Sequence, residues 1–164
     1  MKKLILVNLG LAAMLIMSVS SLAQPAPATT AAIEKDLDLM RRDLRSEKKQ
    51  ILALNVPLTA DEATKFWPVY EAYAKEMTVN YDKFYGLIKD YAAHQTTLTD
   101  PQAVALIKRW NDIQIDLAKT REKYIPMVEK VIPGRKAALF FQIDRRLYAL
   151  MDLQVASEIP LVTH

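Results

Sequence analysis

Between Ala60 and Ala93 the chain sets Phe66, Tyr70, Tyr73, Met77, Phe84, Leu87 and Tyr91 at steps of three, four and seven residues. That spacing is the apolar stripe of an amphipathic α-helix, whereas the half-buried strand of a sheet would alternate apolar and polar positions. A helix over this span is roughly 50 Å long at about 1.5 Å per residue, so elements of similar length must lie beside it to cover the stripe. Two further runs supply them. Asp100 to about Val131 carries Ala103, Leu106, Trp110, Ile113, Leu117, Tyr124, Val128 and Val131 on one face. Arg135 to about Ser157 carries Leu139, Phe140, Ile143, Leu147, Leu150 and Met151. Ile33, Leu37, Met40, Leu44, Ile51 and Leu54 mark an earlier helix from about Ile33 to Leu54. No segment has the period of a strand, and the chain has only three Gly, which suits long helices rather than a turn-rich sheet fold. The fold class is therefore all-α: four long, partly kinked helices in an elongated hairpin architecture.

Punctuation fixes the boundaries. Leu58-Thr59-Ala60-Asp61-Glu62 and Leu98-Thr99-Asp100-Pro101-Gln102 each read as a capping box. The Thr hydroxyl accepts from the N3 amide, and the N3 Glu or Gln reaches back to the Thr amide, so two donors left orphaned at a helix start are satisfied. Asn55-Val56-Pro57 closes the first helix and Pro133-Gly134 separates the third from the fourth. Pro68 and Pro126 fall inside helical runs, which places a bend near Lys65–Trp67 and another near the end of the third helix. The two boxes share little beyond the cap, so they read as two helix starts rather than as a repeat.

The first residues give an address. Met1-Lys2-Lys3 precedes an apolar stretch from Leu4 to Met17, followed by Ser21-Leu22-Ala23, the pattern of a signal peptide cleaved near Ala23. The organisation expected is a signal over 1–23, a Pro- and Ala-rich tether over 24–32, one helical domain over 33–159 and a short tail over 160–164. With no Cys in the chain, neither a disulfide nor a lipid-bearing Cys is available, and the periplasm is the expected compartment. Loss of Lys2 and Lys3 lowers the formal charge of +3 to about +1, which removes any bulk electrostatic case for nucleic acid.

Sites for chemistry are hard to assemble from this sequence. His94 and His164 are the only histidines, and Met40, Met77, Met127 and Met151 stand singly at apolar positions, so neither a metal nor another cofactor is expected. There is no Gly-rich phosphate loop and no nucleophile elbow. Asp112, Asp116 and Glu122 read as solvated or ion-paired helix positions. No catalytic residue is proposed.

Binding is better represented. Trp67, Tyr81 and Tyr85 fall off the main seam of the second helix, so its aromatics need a second face. That face is either a contact with another helix or subunit, or an exposed surface for apolar ligands and unfolded chains. Arg41, Arg45, Lys48 and Lys49, joined by Arg42, form a basic row on the first helix, either a solvated face or an attractor for acidic chains. Arg41, Arg45, Lys48, Trp67, Tyr81 and Tyr85 are the candidate partner surface.

A cysteine-free, exported, all-helical chain with these two Leu-Thr helix starts resembles the Spy/CpxP family of periplasmic stress proteins, which carries LTxxQ motifs. Leu98, Thr99 and Gln102 match that motif; Leu58, Thr59 and Glu62 match it with Glu in place of Gln. The resemblance implies a curved antiparallel homodimer whose concave face holds unfolded clients without ATP. Some members instead bind the sensor domain of an envelope-stress kinase, and relatives linked to metal resistance use residues this chain lacks. The functional expectation is an ATP-independent periplasmic chaperone; the alternative is an adaptor or inhibitor of one specific envelope protein. No stable membrane insertion is expected.

Overall fold

A computed structural model describes residue 35 and residues 47–162. The described residues are all-α and contain no strand: α1 over 47–55, α2 over Ala60–His94, α3 over Asp100–Glu129 and α4 over Gly134–Glu158. Most of the first helix expected from Ile33, with Arg41, Arg42 and Arg45, lies outside the described residues.

α2 and α3 form an antiparallel hairpin whose register is visible in three ion pairs. Glu76 meets Lys123 at 2.6 Å, Lys83 meets Asp116 at 3.0 Å, and Asp90 meets Arg109 at 2.6 Å. Each rung lies seven residues beyond the last on both helices, so the same faces meet after every two turns, as in an antiparallel coiled coil. All three pairs are exposed and contribute little stability individually; they mark the register that the apolar seam sets. Asn80 donates to Thr120 Oγ1 at 2.9 Å within that seam.

The α2 cap makes both bonds of the box, whereas at α3 the Thr99 hydroxyl donates to Gln102 instead of accepting from its amide. Thr59 N–H donates to Glu62 Oε2 at 2.8 Å, and Glu62 N–H donates back to Thr59 Oγ1 at 3.3 Å. At α3, Gln102 Oε1 accepts from both the amide and the hydroxyl of Thr99, at 2.9 and 2.8 Å. Leu58 packs against the core just before its cap. Helical structure is continuous through Lys65–Trp67 despite Pro68.

α4 runs in the same direction as α2. Lys136 pairs with Glu62, Asp144 with Tyr73, and Tyr148 stacks on Tyr81, in increasing order along both helices. Aromatic rings fill the space between them, with Phe140 edge-on to Phe66, Tyr70 and Tyr73 at 5.2, 6.1 and 5.7 Å. The buried seam of α4 is Ala137, Phe140, Asp144, Tyr148, Met151 and Val155. Leu150, expected on the buried face, is 64% exposed instead. α1 differs in the same way: Lys48 and Leu52 are its buried residues, followed by Val56 just past its end, and Leu54 points to solvent.

Candidate functional site

Two arrangements stand out, one sealed and one open. The sealed one is built where α1 crosses α2 and α4. Lys48 Nζ lies 2.5 Å from Asp144 Oδ1, with both side chains almost without solvent access. Tyr73 donates its hydroxyl to Asp144 Oδ2 at 2.6 Å, and Arg121 Nε approaches the same oxygen at 4.0 Å. The ammonium also sits 3.8 Å from the centre of the Tyr148 ring, whose face attracts a cation. Burial pushes the Lys48 pKa down, and the neighbouring Asp144 charge pulls it back up. Burial, reinforced by Asp144, drives the Tyr73 and Tyr148 hydroxyls far above the ordinary tyrosine range. Every charge in the cluster is turned toward another member, so its chemical effect is to fasten α1 to the α2–α4 core.

This geometry corrects the candidate partner surface. Lys48 leaves the basic row because its position on α1 points into the bundle, where Asp144 neutralises it. Lys49 is the outward neighbour and pairs with Glu71. Tyr81 and Tyr85 are both buried, 4% and 3% exposed, since α2 is the central helix and is covered on more than one side. Tyr81 stacks on Tyr148 with ring centres 4.3 Å apart. Trp67 is half-buried, edge-on to Phe66 and Tyr70, with Lys49 Nζ 5.3 Å from its ring. Arg41 and Arg45 lie outside the described residues. The second aromatic face of α2 is thus an internal helix contact, the first of the two roles its spacing allowed. Leu58, Thr59, Glu62, Leu98, Thr99 and Gln102 stand at the two helix starts.

The open arrangement lies at the other end of the bundle. There α3 and α4 border a groove of about 510 Å³ whose floor is α2. Phe84, Leu87, Ile88 and Tyr91 form the floor; Leu106, Ile107 and Trp110 line one wall, and Val155 and Ala156 the other. Ile107 and Trp110 are 61% and 41% exposed. Gln114 and Asp152 are the polar residues in the lining. Burial raises the Asp152 pKa, with Arg121 opposing the shift. Beyond the groove, Val104 on α3 and Leu150 and Leu153 on α4 are also exposed. Ile107 and Trp110 thus place large apolar side chains in water on the wall of one concave feature whose lining is almost wholly apolar, the usual form of a binding groove.

Sequence reasoning sought this surface among the aromatics of α2 and missed it on α3. The signal was present: Val104 and Ile107 are aliphatic residues off the α3 seam. Among the described residues no group of three or more His, Cys, Asp or Glu side chains is placed to hold a metal ion. Nor is any described helix long and apolar enough to cross a membrane. No protein-family model, curated protein or solved structure matches the chain.

Proposed function

We propose that this protein is an ATP-independent holding chaperone of the periplasm, which shields apolar segments of unfolded proteins in the groove between α3 and α4. One observation carries the reading: a groove of about 510 Å³ with an almost wholly apolar lining, flanked by exposed Ile107 and Trp110. An unfolded chain differs from a folded one chiefly in the apolar side chains it exposes, and such a groove recognises that difference without reading a particular sequence. Nothing in this action needs a reaction, since burial of apolar surface supplies the free energy of capture. The signal-like first residues and the resemblance carried by Leu98, Thr99 and Gln102 support the compartment and the class. The basic row has no part in the mechanism beyond Arg41 and Arg45, whose charges would speed encounter with acidic chains.

The test is aggregation of several unrelated unfolding proteins, followed by light scattering with the mature protein at near-equal molar ratio. A holding chaperone suppresses all of them without nucleotide, and Ile107→Asp reduces the suppression. Suppression of none, together with tight binding of one folded envelope protein, would replace this reading with that of a dedicated adaptor.

A further inference from the structure

The groove is not empty along its whole length. Beyond Glu158 the helix stops, and Ile159 adopts an extended conformation with φ −95° and ψ 120°. Pro160 enforces this, because the residue before a proline is driven out of the α region. Residues 159–162 then run along the groove and form part of its wall. Ile159 packs against the core, and the Pro160 carbonyl accepts a hydrogen bond from the Tyr91 hydroxyl at 2.7 Å. Past that point the hold is slight. Leu161 is 87% exposed and Val162 56%, so the segment keeps much of its own apolar surface in water.

Building on the holding function proposed above, we infer that residues 159–162 are a displaceable strap, and that the groove takes an extended apolar polypeptide segment of the strap's own chemistry. The strap shows how such a segment is held: a side chain against the core and a main-chain carbonyl on Tyr91. When it leaves, the Tyr91 hydroxyl, which lines the open groove, exchanges the Pro160 carbonyl for water. An incoming peptide restores the bond with its own main-chain carbonyl, as Pro160 does. The segment already seated there is polypeptide, with apolar side chains at Ile159, Leu161 and Val162, and it sets the chemistry of the occupant. A segment fixed by one hydrogen bond and a terminal side chain belongs to the least stable part of a structure, from which gating elements are drawn. Its presence lowers the apparent affinity of the groove by the fraction of molecules in which it is seated.

Full-length protein and a fluorescent, end-blocked peptide with the sequence of residues 156–162 provide the test, with dodecanoate as the acyl comparison. Pro160→Gly loosens the strap without touching the helices and should raise peptide affinity by about fivefold. Adding Tyr91→Phe to Pro160→Gly removes the hydroxyl from the peptide complex and should lower affinity by roughly three- to tenfold. Circular dichroism should show unchanged helicity in both variants.

Equal affinity in wild type and Pro160→Gly would overturn the strap. Dodecanoate binding with no peptide binding would overturn the polypeptide occupant. Failure of the peptide to bind a protein that still suppresses aggregation would overturn this inference and leave the holding function intact. Loss of both activities would remove the holding function itself.

Discussion

The two ends of the bundle use similar side chains for opposite purposes. Around Phe66, Tyr73 and Phe140 aromatic rings interlock edge to face, and α1 closes over them with a buried charge pair. Around Phe84, Tyr91 and Trp110 the same residue types border a groove between α3 and α4. The α2–α3 ion-pair ladder runs through both regions with an unchanged heptad step. What differs is α4, which fills the first region with Phe140 and leaves space beside Val155 and Ala156 in the second. Apolar composition alone does not separate core from binding surface; the separation depends on how completely a third helix covers the hairpin.

The sharpest way to break this contrast is to attack the sealed end. Asp144→Ala leaves the Lys48 ammonium buried without a counter-charge, and removal of one partner from such a pair costs about 3–5 kcal/mol. Denaturant unfolding should show that loss, while groove affinity in the fraction that remains folded stays unchanged. The combined replacement of Lys48→Met, Asp144→Leu and Tyr73→Phe, which also removes the hydroxyl that donates to Asp144, should recover much of the stability, because a buried polar network exchanged for apolar groups of similar size is often neutral or better. If Asp144→Ala were as stable as wild type, the cluster would not be what fastens α1.

Phe140→Ala comes next. Phe140 is fully buried, touches rings from α2 and from its own helix, and should cost about 3–5 kcal/mol through lost burial and the cavity left behind. Ile107→Ala at the open end removes a side chain already largely in water and should stay within about 0.5 kcal/mol. Comparable losses at the two sites would mean that the groove is closed in solution.

This contrast also shows how much could be read beforehand. Helix class, order and starts were legible because they depend on local spacing and caps: Thr59 and Thr99 lie immediately before α2 and α3 as their motifs require. The buried seam of α4 was not legible. Asp144 occupies a position between Phe140 and Tyr148 that helical spacing marks as internal, but an acidic residue there reads as surface until Lys48 and Tyr73 are known to meet it. Sequence spacing gives the faces of each helix but not the number of neighbours that will cover them. Tyr81 and Tyr85 therefore looked available, and Ile107 looked ordinary.

The caps give smaller effects. Thr59→Ala and Thr99→Ala should each cost about 1 kcal/mol, measurable by thermal or denaturant unfolding. Acid should expose the same end of α2. The hydrogen bond from Lys136, aided by the Thr59 amide, holds the Glu62 pKa below its ordinary value of 4.5. Lys123 and Tyr124 do the same for Glu76, and Arg109 holds Asp90 below 3.8. A carboxyl depressed on folding contributes stability that is present above its unfolded pKa and lost as pH falls through the folded value. Stability should therefore decline from about pH 4.5 downward, and Glu62→Gln and Glu76→Gln should each flatten part of that decline. An acid limb unaltered by both substitutions would assign it to other carboxyls.

The smallest effect on stability should accompany the largest effect on function. Ile107 and Leu153 are 61% and 69% exposed, so Ile107→Ser with Leu153→Ser removes apolar surface that folding scarcely uses. Unfolding free energy should stay within about 0.5 kcal/mol of wild type, since exposed substitutions away from caps and buried networks seldom exceed that. Suppression of aggregation should nevertheless fall severalfold, because these side chains are available to a client. A double variant that unfolds at the wild-type denaturant concentration yet holds clients poorly would separate binding surface from core in one molecule. If holding survived intact, neither Ile107 on the groove wall nor Leu153 beyond it would have a share in capture.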